Sequence, residues 1–214
     1  MMRQKGDPPL TGIRVLDLTQ VVAGPYCTTM LADMGAEVVK LERLDVGDDT
    51  RRVQRYEGRE EHEDYFNASN RSKKSIELNL KEPAHLEVGL ALAAKADVVV
   101  ENFAPGTAAR LGMAWENLKP LNPKLVYCSV SGFGQDGPSR DRLALDTMTQ
   151  AVSGMMSVTG FPDGDPVIMG APLADVISGM FAAYAILGAV FNVAQDGEGQ
   201  YIDVSMQDSL IAAL

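Results

Sequence analysis

Histidine is nearly absent from this chain, with only His62 and His85 in 214 residues. Both lie in charged stretches and read as exposed surface. A histidine-based triad or a histidine-rich zinc site therefore has little to be built from, and no G-x-S-x-G occurs. Cysteine is equally scarce. Cys27 and Cys128 are far apart, which fits neither a disulfide framework nor a zinc ribbon. They read as buried free thiols of a protein kept in a reducing cytoplasm. Positive charge is also short. Nineteen Lys and Arg against 29 Asp and Glu leave a formal net charge of −10. No bulk positive field draws nucleic acid, although a local patch can still hold a small anion.

Met1–Pro9 is polar and has no apolar h-region, so it does not read as a signal peptide. One long uncharged run does exist, Val176–Ala194. It is rich in small residues and has no basic flank, so it reads as the buried centre of a soluble protein and not as a membrane span.

What is present alternates between strand and helix. Strands are expected at Ile13–Leu18, Glu37–Leu41, Ser75–Leu80, Asp97–Glu101, Leu125–Ser131 and Tyr201–Ser205. Helices are expected from Gly24-Pro25 to Met34, then at Pro83–Lys95, Pro105–Leu111, Trp115–Leu121, Leu145–Thr159 and Pro172–Ala194, and from Gln207 onwards. Arg43–Asn70 is polar and reads as a long surface excursion. The pattern predicts an α/β, Rossmann-like, doubly wound, mostly parallel sheet in one domain over residues 1–214. The apolar helix at Asp208–Leu214 has no stop signal after it, so the chain reads as the large domain of something longer.

Gly132-Phe133-Gly134-Gln135-Asp136-Gly137 has the spacing G-x-G-x-x-G after a strand. A dinucleotide site needs a helix to open on those glycines. Pro138-Ser139-Arg140-Asp141-Arg142 reads instead as continuing loop. Asp175 is the only charge between Gly170 and Ala194, and Pro172 places it in a first helical turn, where free N–H groups favour its carboxylate form. Small residues follow at Ser178, Gly179 and Ala182. Such a carboxylate suits a nucleophile or a general base; a plain first-turn capping aspartate remains the simpler reading of the residues alone. Arg43, Lys73, Lys74, Lys81 and Arg110, with Asn102-Phe103, recur near strand ends, where open α/β sheets bind anionic ligands.

Jointly these motifs resemble the family III CoA-transferases, the CaiB/BaiF group. The resemblance rests on Leu16-Asp17-Leu18-Thr19 with Ala23-Gly24-Pro25, on Gly35–Glu42, on Ser72–Lys81 and on Asp97–Phe103. It continues through Gln150-Ala151 with Ser153-Gly154, Thr159-Gly160, and Gly199-Gln200 with Asp203–Asp208. It implies that Asp175 is the catalytic nucleophile. Its carboxylate would attack an acyl-CoA, giving an aspartyl–acyl anhydride and then an aspartyl–CoA thioester, from which CoA passes to an acceptor acid. The resemblance places Arg43 on the adenine, Val21, Leu78, Asn102, Phe103 and Leu111 along the CoA channel, and Lys81 and Arg110 on the phosphates. Val22 and Asp146 would shape the acyl pocket. Val22 stands where formyl-CoA transferases carry a glutamine, which favours a less polar acyl group than formate or oxalate. Leu145 stands where the related α-methylacyl-CoA racemases need a histidine, which disfavours an isomerase. Coenzyme A enters as substrate, with no tightly bound cofactor and no metal. The partners implied are an acyl-CoA and a small carboxylic acid. The family's C-terminal domain, its glycine-rich loop and its interlocked homodimer lie beyond these residues, so an inactive CoA-binding module is the second expectation.

Overall fold

In a computed structural model, residues 6–53 and 64–214 are described; His62 lies outside them. Six strands, β1 (Arg14–Asp17), β2 (Glu37–Arg43), β3 (Lys74–Leu78), β4 (Val98–Glu101), β5 (Val126–Ser131) and β6 (Tyr201–Ser205), form one sheet. The order is β3-β2-β1-β4-β5-β6, and every pairing is parallel. Helices α1 (Ala23–Asp33), α2 (Asp64–Asn70), α3 (Pro83–Ala93), α4 (Thr107–Arg110), α5 (Trp115–Leu118), α6 (Asp146–Val152), α7 (Leu173–Asp196) and α8 (Met206–Ala212) connect them. This is the doubly wound architecture expected. Its strand order reverses between β1 and β4.

Side-chain alternation divides the strands between two cores. Val98, Val100, Val126, Cys128 and Val130 pack with Leu31 of α1, Ala182 and Ile186 of α7 and Leu210 of α8. Val99, Tyr127, Leu16 and Leu41 face the other side, with Ala93 of α3, Met113 and Leu118. β4 and β5 are buried along their whole length. That requires near-continuous apolar sequence, as Val98-Val99-Val100 supplies. Both cysteines are free and buried, as expected.

Three helical expectations need correction. The excursion expected at Arg43–Asn70 carries a 3-10 turn at Asp49–Arg52 and helix α2, which packs on α1. Leu145–Thr159 is not one helix. Gly154 takes a left-handed φ of 89° and separates α6 from a 3-10 turn at Met155–Val158. Nor is α7 buried all round. Ala174, Ser178, Ala182, Ala183, Ile186 and Ala189 face the core, whereas Phe191 is 69% exposed and Tyr184 78%. By length and composition Leu173–Gln195 could cross a membrane, but its small-residue stripe seats on α1. A Cβ at Gly179 would lie 2.6 Å from the Ala23 carbonyl oxygen, so only glycine permits this approach. The packing brings the start of α7 beside the end of β1.

Candidate active site

The turn leaving β1 meets the turn leaving β4 at the point where strand order reverses, the usual ligand crevice of such sheets. The Asn102 side chain holds the Gln20 backbone from both sides: Oδ1 accepts the Gln20 N–H and Nδ2 donates to the Gln20 carbonyl, each at 2.8 Å. Phe103 is set by its own N–H, which donates to a Glu101 carboxyl oxygen at 2.8 Å. Burial pushes Glu101 up to about 7.

A cavity of about 320 Å³ opens here, lined by Val21, Val22, Asn102, Phe103, Arg140, Arg142, Asp146 and Asp175 among others. Asp146 and Asp175, 29 residues apart, meet at the start of α7. Asp146 Oδ1 accepts the N–H of Ala174 at 2.7 Å and of Asp175 at 3.3 Å. Its other oxygen accepts from Gln150 Nε2 at 2.6 Å. The helix N–H groups expected to stabilise Asp175 are therefore taken by Asp146. No described residue donates a hydrogen bond to the Asp175 carboxylate. Burial first, and then the Asp146 charge, push Asp175 up to about 7. This corrects the expectation that the helix end keeps it ionised. The neighbouring acid and the loss of water outweigh a dipole whose N–H groups are already partnered.

Asp146 lines the same cavity as Val22 and Asp175, where the resemblance placed it; what the sequence did not foresee is that its carboxylate caps α7. Tyr65 of α2 is a residue the sequence did not single out. Burial raises its phenol pKa, and so do the charges of Asp175 and Asp146. It lies in the segment read as a surface excursion, so no local signal marked it.

A second cavity, of about 560 Å³, is lined by Arg43, Leu78, Lys81, Thr107, Leu111 and Phe103, among others. Phe103 lines both cavities. Of the residues assigned to CoA, Arg110 lines neither. Its guanidinium donates to Thr107 Oγ1 at 2.6 Å, on the wall of the second cavity. Arg43 forms an ion pair with Asp49 at 2.5 Å and remains half exposed.

Two other expected cations are not free for a ligand. Lys73 is 2% exposed and paired with the fully buried Asp17 at 3.0 Å. It also donates to the Pro25 and Ser69 carbonyls and to Asn70 Oδ1, each at 2.9 Å. Lys74 pairs with Glu37 on the surface at 2.6 Å. His85 is half-buried, and its Nδ1 accepts the Asn79 N–H at 3.1 Å, so it is not simple exposed surface. The glycine loop at 132–137 continues as turns, with no helix opening on it. Instead, Asp203 accepts the Gln135 N–H at 2.8 Å. Among the described residues no cluster suits a metal ion.

The sequence pattern of CoA-transferase family III matches residues 10–214. The chain belongs to that family. It is 44% identical over 212 residues to a succinate–glutarate CoA-transferase of Agrobacterium fabrum, covering 97% of this chain and 53% of that protein. An acetyl-CoA:oxalate CoA-transferase of Acetobacter aceti is 45% identical, with 96% and 53% covered. A CaiB/BaiF family protein from Brucella suis matches with a TM-score of 0.91 at 38% identity, over 97% of this chain and 56% of that one. The chain spans about half the length of the curated relatives it matches.

Proposed function

We propose that this chain carries the catalytic aspartate and the CoA-binding face of an acyl-CoA:carboxylate CoA-transferase. The observation that carries this reading is the Asp175 carboxylate, which accepts no hydrogen bond from any described residue, in a cavity that shares Phe103 as a wall with a second one. The second cavity holds Arg43, Leu78, Lys81 and Leu111. Asp175 attacks the thioester carbonyl, the C–S bond breaks, and CoA leaves as thiolate. The thiolate attacks the aspartyl carbonyl of the anhydride and releases the donor acid, leaving an aspartyl–CoA thioester. The acceptor carboxylate attacks that thioester and again expels thiolate, which takes the new acyl group and frees Asp175. Each step exchanges one activated acyl bond for another.

Similar proteins are named for succinate, glutarate, oxalate and mesaconate. A small dicarboxylic acid is therefore the proposed acceptor. Val22, buried on the cavity wall, favours acids with a hydrocarbon chain over oxalate. The complete gene product, incubated with succinyl-CoA and glutarate, is expected to yield glutaryl-CoA and succinate by mass spectrometry. CoA-ester hydrolysis without exchange, or isomerisation of a branched acyl-CoA, would overturn the reading.

The pH profile follows from Asp175. Its carboxylate is the nucleophile, and its pKa is raised to about 7. Transfer measured as kcat/KM should rise through about pH 7 and level off above it. Asp146→Asn keeps an oxygen to cap α7 but removes the second cause of the shift, so the midpoint should move to lower pH. A midpoint that stays in place in this variant would count against the Asp146 charge. For stability the sign is opposite to that of a salt-bridged acid. The folded pKa lies above the unfolded value, so this group's contribution is present at low pH and fades as pH rises towards about 7.

Arg43→Ala should weaken CoA binding by on the order of 1 kcal/mol if the guanidinium stacks on the adenine, as read by calorimetric titration. Unchanged affinity would remove Arg43 from the site. We extend the reading to a cytoplasmic homodimer. The exposed Met180, Phe181, Tyr184 and Phe191 of α7 support association. Light scattering that gives a monomer for the complete gene product would overturn the dimer.

A further inference from the structure

Resting on that reading, we infer that the buried Lys40–Asp48 pair is a positioning device for the wall of the acyl cavity. It holds Val21 in a backbone conformation that valine rarely adopts. Val21 has a φ of +67°, an outlier for a β-branched residue. Such strain persists only where the surroundings over-determine it. The Val21 N–H donates to both Asp48 oxygens at 3.3 Å. Asp48 and Lys40 are 0% and 1% exposed, with their charged atoms 3.0 Å apart. Lys40 Nζ also donates to the Thr19 carbonyl at 2.6 Å. Asp17 holds the Thr19 N–H at 2.9 Å, and Asn102 holds Gln20 from both sides. Every residue from Thr19 to Val21 is thus tied to a side chain distant in sequence.

The clamp serves position more than stability. Asp48 also caps the 3-10 turn at Asp49–Arg52, accepting the Thr50 N–H at 3.0 Å and its hydroxyl at 2.7 Å. A neutral cap would serve there, and replacing a buried ion pair with well-packed apolar groups is often neutral or stabilising, so neither role gives a reason for charge at this place. The place itself does. Val21 and Val22 line the same cavity as Asp175, and Val21 is 40% exposed. Releasing the turn would let this wall move relative to the nucleophile, and small misplacements of reacting groups are costly.

The test is carried out in the complete gene product, with turnover, Val21 amide exchange and thermal melting read together. Asp48→Asn is expected to lower kcat by at least about tenfold, with a smaller change in KM for the acyl-CoA, and to remove Val21 amide protection. Adding Val21→Gly should restore most of the lost kcat, because glycine holds a positive φ without a clamp. The melting temperature should stay low in the double variant, since Lys40 still lacks its carboxylate. If Asp48→Asn does not fold, Lys40→Met/Asp48→Leu takes its place as a packed apolar exchange, with the same loss of kcat and of Val21 protection expected. A fall in melting temperature with unchanged kcat, or a kcat that Val21→Gly does not rescue, would overturn the proposal. Absence of CoA transfer in the unaltered protein would overturn the proposed function instead, while Val21 exchange would still judge the clamp.

Discussion

Asp175→Asn is expected to lower CoA transfer by about 10⁴-fold or more, in line with the removal of other covalent nucleophiles. The side chain keeps its shape, and α7 keeps its cap, because Asp146 and not Asp175 accepts the N–H groups of the first turn. The variant should therefore fold and bind CoA while losing the chemistry. Covalent trapping makes the assignment direct. Incubation with acyl-CoA, a hydroxylamine or borohydride quench, and peptide mapping should place the label on Asp175 in the unaltered protein and nowhere in the variant. Asp146 is the rival carboxylate, since it lines the same cavity. Both its oxygens already accept hydrogen bonds, whereas the Asp175 carboxylate accepts none from any described residue. A label on Asp146, or near-normal turnover in Asp175→Asn without reversion to aspartate, would refute the mechanism.

Lys73→Met should be the most destabilising of these changes. It leaves the fully buried Asp17 without its 3.0 Å partner, and breaking such a pair costs about 3–5 kcal/mol. For a domain of this size the melting temperature should fall by roughly 10–15 °C. The pH dependence identifies the cause. Burial alone would raise Asp17, but Lys73, then Lys40 and the hydroxyls of Thr19 and Thr28, hold it down at about 2. A carboxyl with a depressed folded pKa adds stability above its unfolded value, near 4, and loses it as pH falls towards about 2. Without Lys73 this contribution is largely gone. Denaturant melts of the two proteins should therefore converge as pH drops from about 5 to about 2. A gap that stays constant across that range would mean that Lys73 stabilises by packing alone.

The same pair shows how far a motif can mislead. Lys73 and Lys74 are adjacent in Ser72–Lys81 and carry the same charge, yet one is enclosed by four acceptors and the other is on the surface with Glu37. Lys73 precedes β3 and turns back under α1 and α2, where the Pro25 and Ser69 carbonyls and Asn70 enclose it, whereas Lys74 opens the strand at the surface. Burial of Lys73 then depends on Asp17, 56 residues away. Arg43 and Lys81, by contrast, line the second cavity together with Phe103.

Sequence by itself determined the order of the six strands and most of the helices, though not α2, together with the parallel doubly wound class, the absence of a helix on the glycine loop, and the family. These follow from local rules. Unbroken β-branched runs make covered strands, proline and glycine mark helix ends, and several motifs in the right order are jointly specific. Asp175 stood out as one charge in a long apolar stretch, but the residues alone read it most simply as a helix cap, and only the resemblance gave it a catalytic role. The tertiary structure alone decided what Asp175 is chemically. Ionisation depends on how much water is removed and on which charges arrive from elsewhere in the chain. Asp146 arrives from 29 residues away, takes the helix N–H groups and raises its neighbour. The clamp on Val21 belongs to the same class. Lys40 and Asp48 are unremarkable in sequence, and only the packing of β1 against β2 buries them together beside the cavity.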